Sequence, residues 1–305
     1  MRALALEDTI AVAHVQHRLA LGIEWIDAVQ GTAVGRGWTT ELRAIGTRPL
    51  VQAFEEHSCG RHAVRHAGQL ARLLARAADD KAATPPATPQ DDPTNFVLHA
   101  YGQTSARAVR YATGDDPRRF VPRRLALTPV QAGGIPAASN ANIRQAWLWP
   151  GATYPLPSKA SAVRGCIRRG TALATAKPVP WARVVFTRPG AGPANFATEA
   201  KLGHAHGDDR GEFLAVFGPL AVPGGAALPA GIALHAWPFL PPAATTLDAA
   251  DPLASLPLEV AGESALTDLL RGTALPAGYV QHGPIALTLP LAAVCAIADA
   301  DLLFP

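Results

Sequence analysis

The sequence predicts a mainly β protein with two β-sandwich domains, immunoglobulin-like or transthyretin-like, one inserted helix and a C-terminal extension. Short segments in which apolar and polar residues alternate recur along the chain, separated by turn-forming residues. Glycine and proline number 27 and 28 among 305 residues, too few for a low-complexity chain. The hydrophobic fraction of 49% is sufficient for a large buried core. A coiled coil, a collagen and wholesale disorder are therefore excluded.

The first predicted domain, residues 1–158, is mostly β. Its strand signals lie at 18–29, 38–45, 96–101, 108–111, 123–127 and 147–149. From about residue 50 the apolar residues recur at helical spacing, which predicts an amphipathic helix over about 60–78 that ends before Asp79 and Asp80. Proline disfavours helix in the residue before it, so the proline-rich segment 82–93 is predicted as an exposed loop. A polar, glycine-containing loop is expected at 131–142.

The second predicted domain, residues 159–240, is a more regular sandwich. Its strand signals lie at 163–167, 179–186, 197–206, 212–217 and 232–237. The segment GDDRG at 207–211 predicts a tight turn, because Gly211 permits the backbone conformation that such a turn requires. Residues 241–305 are expected to form an extension that packs on a sandwich or on a partner. It contains a possible short helix near 263–270 and apolar segments at 279–289 and 291–297.

Residues 161–237 resemble the carboxypeptidase regulatory-like module, a transthyretin-like β-sandwich. The family pattern has a valine-glycine opening, a proline segment, a strand with two apolar positions, and an Asp-x-x-Gly-x-Phe turn and strand. The matching positions are Val163, Gly165, Pro178, Val184, Phe186, Asp208, Gly211 and Phe213. The resemblance implies a non-catalytic spacer or contact domain. It covers about a quarter of the chain, and residues 1–158 resemble no known family.

The charge balance argues against electrostatic capture of nucleic acid or anionic lipid, since the net charge is only +3. Glu7 and Asp8 lie where a signal peptide needs its apolar core. The most apolar window, 285–297, is interrupted by Thr288 and Pro290 and is too short to span a bilayer. The sequence therefore predicts a cytoplasmic protein without membrane contact, which could later be incorporated into a virion-like particle.

The three cysteines, Cys59, Cys166 and Cys295, are far apart and lack the paired spacing of a zinc site or a redox motif. They are expected to be reduced thiols. No cofactor is predicted, because the sequence contains no phosphate-binding glycine loop, no dinucleotide-binding fingerprint and no nucleophile elbow.

The best candidate metal ligands are His204 and His206, which are two residues apart on a predicted strand and should share a face. Asp208 or Asp209 just beyond them could complete a set of two histidines and a carboxylate. The alternative interpretation is a polar strand edge that enters a turn whose aspartates bind local backbone.

A second cluster contains His57, Cys59, His62 and His66. On the predicted helix, His62 and His66 would share a face, as metal ligands can. The glutamate of the HExxH protease motif is missing, and a solvated arginine face accounts equally well for this segment.

The densest basic segment is PRRFVPRR at 117–124, in which arginines flank Phe120. Arginines beside an aromatic ring can bind phosphates and stack on bases. Asp115 and Asp116 adjoin the segment, so a protein contact or a loop that leads into a strand is the favoured interpretation.

These observations favour a non-enzymatic structural or adaptor protein that binds protein partners or its own copies. Low charge and high apolarity indicate that part of the surface is covered, which would suit a component of a phage tail or phage-tail-like contractile injection particle. One alternative is a metal-dependent hydrolase that uses His204, His206 and Asp208. Another is a carbohydrate-binding sandwich protein, suggested by Trp147, Trp149 and Trp237.

Overall fold

The computed structural model describes residues 19–57, 59–103, 111–112, 114–128, 143–218, 230–243, 253–260 and 266–305. The chain is mainly β, as predicted, with 45% strand and 10% helix. Within the described ranges, no helix has the length and apolarity needed to cross a membrane.

In its described residues, the first part of the chain forms eight strands and one long helix. The strands are Leu19–Asp27 (β1), Trp38–Ile45 (β2), Arg48–Ala53 (β3), Glu55–Glu56 (β4), Arg61–Arg65 (β5), Phe96–Gly102 (β6), Arg123–Leu127 (β7) and Ile143–Leu148 (β8). Helix α1 spans Gly68–Ala83, and a single 3-10 turn follows at Pro89–Asp91.

The second part, where the structure describes it, adds twelve strands and a short helix. The strands are Ser161–Cys166 (β9), Arg168–Arg169 (β10), Lys177–Pro178 (β11), Arg183–Arg188 (β12), Ala200–His206 (β13), Glu212–Phe217 (β14), Gly231–Leu240 (β15), Leu258–Val260 (β16), Val280–Gln281 (β17), Ile285–Pro290 (β18), Val294–Ala296 (β19) and Leu303–Phe304 (β20). Helix α2 spans Leu266–Arg271.

Two sheets, built from the strands of the first part together with β16 of the second, pack around one apolar core. One sheet has the strand order β4-β5-β1-β8, and the other has the order β16-β7-β6-β2-β3. Trp25 from β1, Leu42 from β2 and Leu98 from β6 are buried between them. Helix α1 adds Leu70 and Ala77 to the same core, so the helix belongs to this first sandwich.

The second sandwich has its own core. A five-stranded sheet has the order β13-β12-β15-β17, with β18 also paired to β15, and it faces the three-stranded sheet β14-β9-β19. Val184 and Phe186 of β12 and Phe213 of β14 are buried between the two sheets. A small sheet, β11-β10-β20, lies beside them.

The three-stranded sheet is shared by both cores. In β14, Phe213 and Phe217 belong to the second core, whereas Leu214 and Val216 pack against the first. Successive side chains of a strand point to opposite faces, so one strand serves two cores. The two sandwiches are therefore joined where Leu214 and Val216 of β14 and Ala162 of β9 pack against the first core.

The long helix differs from the prediction, since it begins at Gly68 instead of about residue 60 and continues past Asp79 and Asp80 to Ala83. Residues 61–65 form β5, in which the buried residues His62 and Val64 alternate with more exposed ones. Pairing of β5 with β1 and β4 satisfies its backbone groups, and this outweighs the weak helical spacing.

The predicted C-terminal extension is part of both sandwiches. Strand β16 pairs with β7 of the first sandwich, while β18, β19 and β20 pair with β15, β9 and β10. Three of these four pairings are parallel, and a parallel pairing has no local turn signal in the sequence. The loop predicted at 131–142 and most of the strand predicted at 108–111 lie outside the described residues.

Candidate functional site

His204 and His206 lie on one face of β13, as the sequence predicts. Both imidazole rings lie against the indole of Trp149, with ring centroids 5.7 Å and 5.6 Å away. Burial, followed by the charge of Lys201, lowers the pKa of His204 to about 4. The two histidines of the second sandwich therefore contact Trp149, the residue that directly follows β8 of the first sandwich.

The His206 side chain is buried and holds the end of α2. Its Nε2 lies 2.7 Å from the carbonyl oxygen of Gly272, which can only accept, so Nε2 carries the proton and donates the hydrogen bond. Burial, together with the nearby charges of Arg183 and Arg123, lowers the pKa of His206 well below its ordinary value. The imidazole is therefore neutral, and one of its nitrogens is committed to a structural hydrogen bond.

Asp208 organises the turn that follows the histidines. Its Oδ1 accepts hydrogen bonds from the backbone N–H groups of Arg210 and Glu212, each at 2.9 Å, and Gly211 completes the turn with φ of +74°. Its Oδ2 lies 3.4 Å from a guanidinium nitrogen of Arg118. Burial, followed by the charge of Asp209, raises the pKa of Asp208 to about 7.

The three candidate ligands are thus engaged in three different structural contacts. Across the ranges that the structure describes, no three His, Cys, Asp or Glu side chains are grouped so that they could hold a metal ion. The arrangement matches the alternative interpretation, a strand edge that enters a turn stabilised by its own aspartate.

Three buried charged side chains form a group at the junction of the sandwiches, here called the ionic centre: Arg123 of β7, Arg183 of β12 and Glu259 of β16. Arg123 is 0% exposed. Its Nη2 lies 2.5 Å from Glu259 Oε2, and Arg183 Nη2 lies 3.5 Å from Glu259 Oε1. The ionic centre thus joins a strand of the second sandwich to two strands of the first.

Arg123 also binds backbone carbonyls of the adjoining elements. Its guanidinium donates to the carbonyl oxygens of Trp147 at 2.8 Å, Leu270 at 3.0 Å and Leu269 at 2.5 Å. Trp149 Nε1 donates to the next carbonyl, that of Arg271, at 2.8 Å. Together with His206, these side chains bind the carbonyls of residues 269–272 at and just after the end of α2, where the last carbonyls lack intrahelical partners. The Leu269 carbonyl also accepts a hydrogen bond from the Gly272 N–H.

This geometry determines the role of the basic segment at 117–124. Arg123 is buried in the ionic centre, and Arg118 lies between Asp208 and Asp209. The guanidinium of Arg119 lies 5.1 Å from the ring centroid of Phe120, which is itself buried. The segment leads into β7, as one of the two favoured interpretations states.

The second histidine cluster does not lie on a helix, so that prediction is wrong. His62 is buried on β5, where burial lowers its pKa, and His66 follows the strand. His57 and Cys59 are exposed in the turn between β4 and β5. Extended backbone rises about 3.3 Å per residue, so His62 and His66 lie farther apart here than the one helical turn that would have separated them on a helix.

Sequence reasoning missed a second buried polar network, in the five-stranded sheet of the second sandwich. Glu199 Oε1 lies 2.9 Å from His235 Nδ1, and Thr187 donates a hydrogen bond to the same carboxylate. Trp237 Nε1 donates to Thr187 Oγ1 at 2.8 Å. Although burial raises the pKa of Glu199, hydrogen bonds from Thr187 and His235 hold it below its ordinary value.

The tryptophans differ from one another in exposure. Trp237 is buried, whereas Trp147 and Trp149 are half-buried near α2.

Glu259 of the ionic centre was also not predicted from the sequence. Its position between Leu258 and Val260, as a charged residue in an apolar segment, was an available signal.

Comparison with known proteins gives little further information. No protein-family model matches the chain. No curated protein matches it either. One solved structure with some likeness is a minor pilin from Streptococcus agalactiae, with 9% identity, 91% of this chain and 92% of that chain covered, and a TM-score of 0.21.

Proposed function

We propose that the chain is a non-enzymatic structural or adaptor protein that docks to protein partners or to further copies of itself. The observation that carries this proposal is the position of the three most exposed large apolar residues among those described. Val51 on β3, Val280 on β17 and Val294 on β19 are 66%, 57% and 45% exposed. Each of these strands is the last in the order of its sheet, and a sheet edge with exposed apolar residues is suited to pairing with another chain.

The ionic centre supports the same proposal. Its charged side chains bind one another and backbone carbonyls, so this group of buried ionisable side chains stabilises the junction of the sandwiches. A rigid junction is what a spacer or contact protein needs in order to hold its docking surfaces at a fixed separation.

Residues 161–237 are proposed to be a carboxypeptidase regulatory-like module. Strands β9 and β14 pair antiparallel, as do β12, β13 and β15, and Gly211 adopts a positive φ at the expected turn. These pairings support a sandwich of that kind.

We further propose that the protein is made in the cytoplasm and assembles into a phage tail or phage-tail-like contractile injection particle. Its cysteines, Cys59, Cys166 and Cys295, are free thiols, as is usual for proteins made in a reducing compartment. Neighbouring genes for tail sheath, tube and baseplate proteins would support this assignment, whereas neighbours that encode a metabolic pathway would contradict it.

The docking proposal is tested by self-association of the purified chain. Sedimentation velocity of the wild type should show concentration-dependent association, and Val51→Lys or Val280→Lys should weaken it by about tenfold because a charge would be buried at the contact. Leu173→Lys is the matched control, since Leu173 is exposed but lies outside the strands. A monodisperse monomer at millimolar concentration would contradict the proposal.

A further inference from the structure

A pocket of about 510 Å³ opens between β8 and α2 on the outer side of the first sandwich. Its polar and aromatic lining consists of Glu24, Arg61, Arg144, Gln145, Trp147, Thr267 and Arg271. Its volume lies within the range of about 300–1,000 Å³ that small-molecule sites occupy.

The floor of the pocket is a row of polar side chains across three paired strands. Arg61 of β5 is the register partner of Glu24 of β1, which is the register partner of Gln145 of β8. Glu24 accepts a hydrogen bond from Gln145 Nε2 at 2.8 Å and another from Arg61 Nε at 3.2 Å. The hydrogen bond from Gln145, with help from Arg61, lowers the pKa of Glu24, so the row contains an ionised carboxylate.

The wall of the pocket is an indole ring with an arginine held over it. Trp147 lies two residues after Gln145 on β8 and so shares its face. The guanidinium of Arg271, at the end of α2, lies 5.5 Å from the ring centroid of Trp147. This cation–π contact holds Arg271 beside the pocket.

The ionic centre connects the two sides of the pocket, β8 and α2, through hydrogen bonds. Buried Arg123 binds the carbonyl of Trp147 on β8 at 2.8 Å and the carbonyl of Leu270 on α2 at 3.0 Å. A site whose walls are fixed by buried contacts needs little rearrangement when a ligand enters.

The charge of the lining indicates the class of ligand. Three guanidinium groups and one carboxylate line the pocket, and a guanidinium matches a carboxylate or phosphate group in a planar, bidentate arrangement. Glu24 and Gln145 can bind hydroxyl groups, and Trp147 offers an apolar ring face or edge. We propose that this pocket binds an acidic sugar, a saccharide unit that carries a carboxylate or a phosphate group.

The proposal is tested by isothermal titration calorimetry of the full chain with D-glucuronate and with glucose 6-phosphate. Glucose and inorganic phosphate are the comparison ligands. At least one acidic sugar should bind with a dissociation constant in the millimolar range or below, at least about tenfold tighter than glucose and than phosphate. The preferred acidic sugar would distinguish a carboxylate ligand from a phosphate ligand.

Variants connect the binding to this pocket. Arg271→Gln and Arg61→Gln should each weaken binding by about tenfold, because each removes a charge-assisted hydrogen bond. Arg72→Gln is the matched control, since it makes the same change of charge at an exposed position on α1 and should bind like the wild type. Thermal unfolding of each variant verifies that it is folded.

Three outcomes would overturn the proposal. The first is equal affinity for glucose and the acidic sugars, which would leave the arginines without a role. The second is equal affinity for inorganic phosphate, which would leave the sugar unrecognised. The third is wild-type binding by both Arg271→Gln and Arg61→Gln. Besides these three, the absence of binding of every probe to the wild type would contradict the proposal outright.

Discussion

At the scale of single residues, most of the buried ionisable groups described in this protein have a structural partner. Arg123 and Arg183 share Glu259, Asp208 binds backbone N–H groups, and His206 binds a carbonyl. An unpaired charge in a protein interior costs several kcal/mol, so a buried charge usually persists only with a partner. Because of these contacts, side chains of types that often act in catalysis, such as His206, have structural roles here.

Asp208 should make stability depend on pH. Its pKa is raised from 3.8 to about 7 in the folded chain, so between these values the folded state binds more protons than the unfolded state. The contribution of Asp208 to the stability of the folded state is therefore complete at low pH and is lost as the pH rises through about 7. Asp208→Asn lacks this ionisable group. Its free energy of unfolding, relative to that of the wild type, should therefore rise by about 2 kcal/mol from pH 5 to pH 8, as measured by urea unfolding.

Asp301→Asn is the control for this prediction, because Asp301 is exposed. Its stability relative to the wild type should be nearly constant over the same pH range. If the difference in free energy of unfolding between Asp208→Asn and the wild type did not depend on pH, the pKa of Asp208 would not be raised in the folded chain, which would contradict the prediction.

At the scale of secondary-structure elements, α2 depends on side chains from elsewhere in the chain. A helix as short as Leu266–Arg271 is not stable alone, because nucleation costs more than a few hydrogen bonds return. Side chains of Arg123, Trp149 and His206 bind the carbonyls at its end. The position of α2, and with it one wall of the pocket, is thus determined by tertiary contacts.

Gly272 should be the most sensitive position at this helix end. Its φ is +69°, and a β-carbon there would lie 2.8 Å from Trp149 Nε1. Gly272→Ala should therefore lower the free energy of unfolding by about 2–3 kcal/mol, from backbone strain together with steric conflict. Urea unfolding measures this loss.

Gly31→Ala separates the two causes. Gly31 has nearly the same φ, +68°, but a β-carbon there would meet no atom within 4 Å. This variant should lose only about 1 kcal/mol, the cost of the backbone conformation alone. Equal losses for the two variants would mean that Trp149 moves aside without cost.

At the scale of the whole molecule, the shared sheet couples the two sandwiches. Strand β14 places Phe213 in one core and Leu214 in the other, and the ionic centre spans the same junction. The C-terminal strands then tie both sandwiches together, since β16 pairs with the first and β18–β20 pair with the second. We therefore expect one cooperative unfolding transition for the described parts of both sandwiches.

Leu302→Ala tests this coupling. Leu302 is fully buried in the second core, so its truncation should cost about 3 kcal/mol. Hydrogen exchange measured by mass spectrometry should then accelerate in β6 of the first sandwich as well as in β12. Leu173→Ala, at an exposed residue, should change neither strand. Acceleration confined to the second sandwich would show that the two unfold separately.

The sequence alone determined the fold class and much of the local structure. The predicted strands at 38–45, 123–127 and 212–217 coincide with β2, β7 and β14, and His204 and His206 share a face as their spacing requires. These features are local, because alternation within a strand already determines which side chains point the same way.

Only the tertiary structure decided which strands pair and which polar residues are buried. Strand β5 was mistaken for part of a helix, and the parallel pairings of β16, β19 and β20 have no signature in the sequence. Arginine is a residue type usually found at the surface. Arg123 is nevertheless buried, because Glu259, 136 positions away in the sequence, forms an ion pair with it. Backbone pairing and charge compensation act between distant segments, so local periodicity contains no information about either.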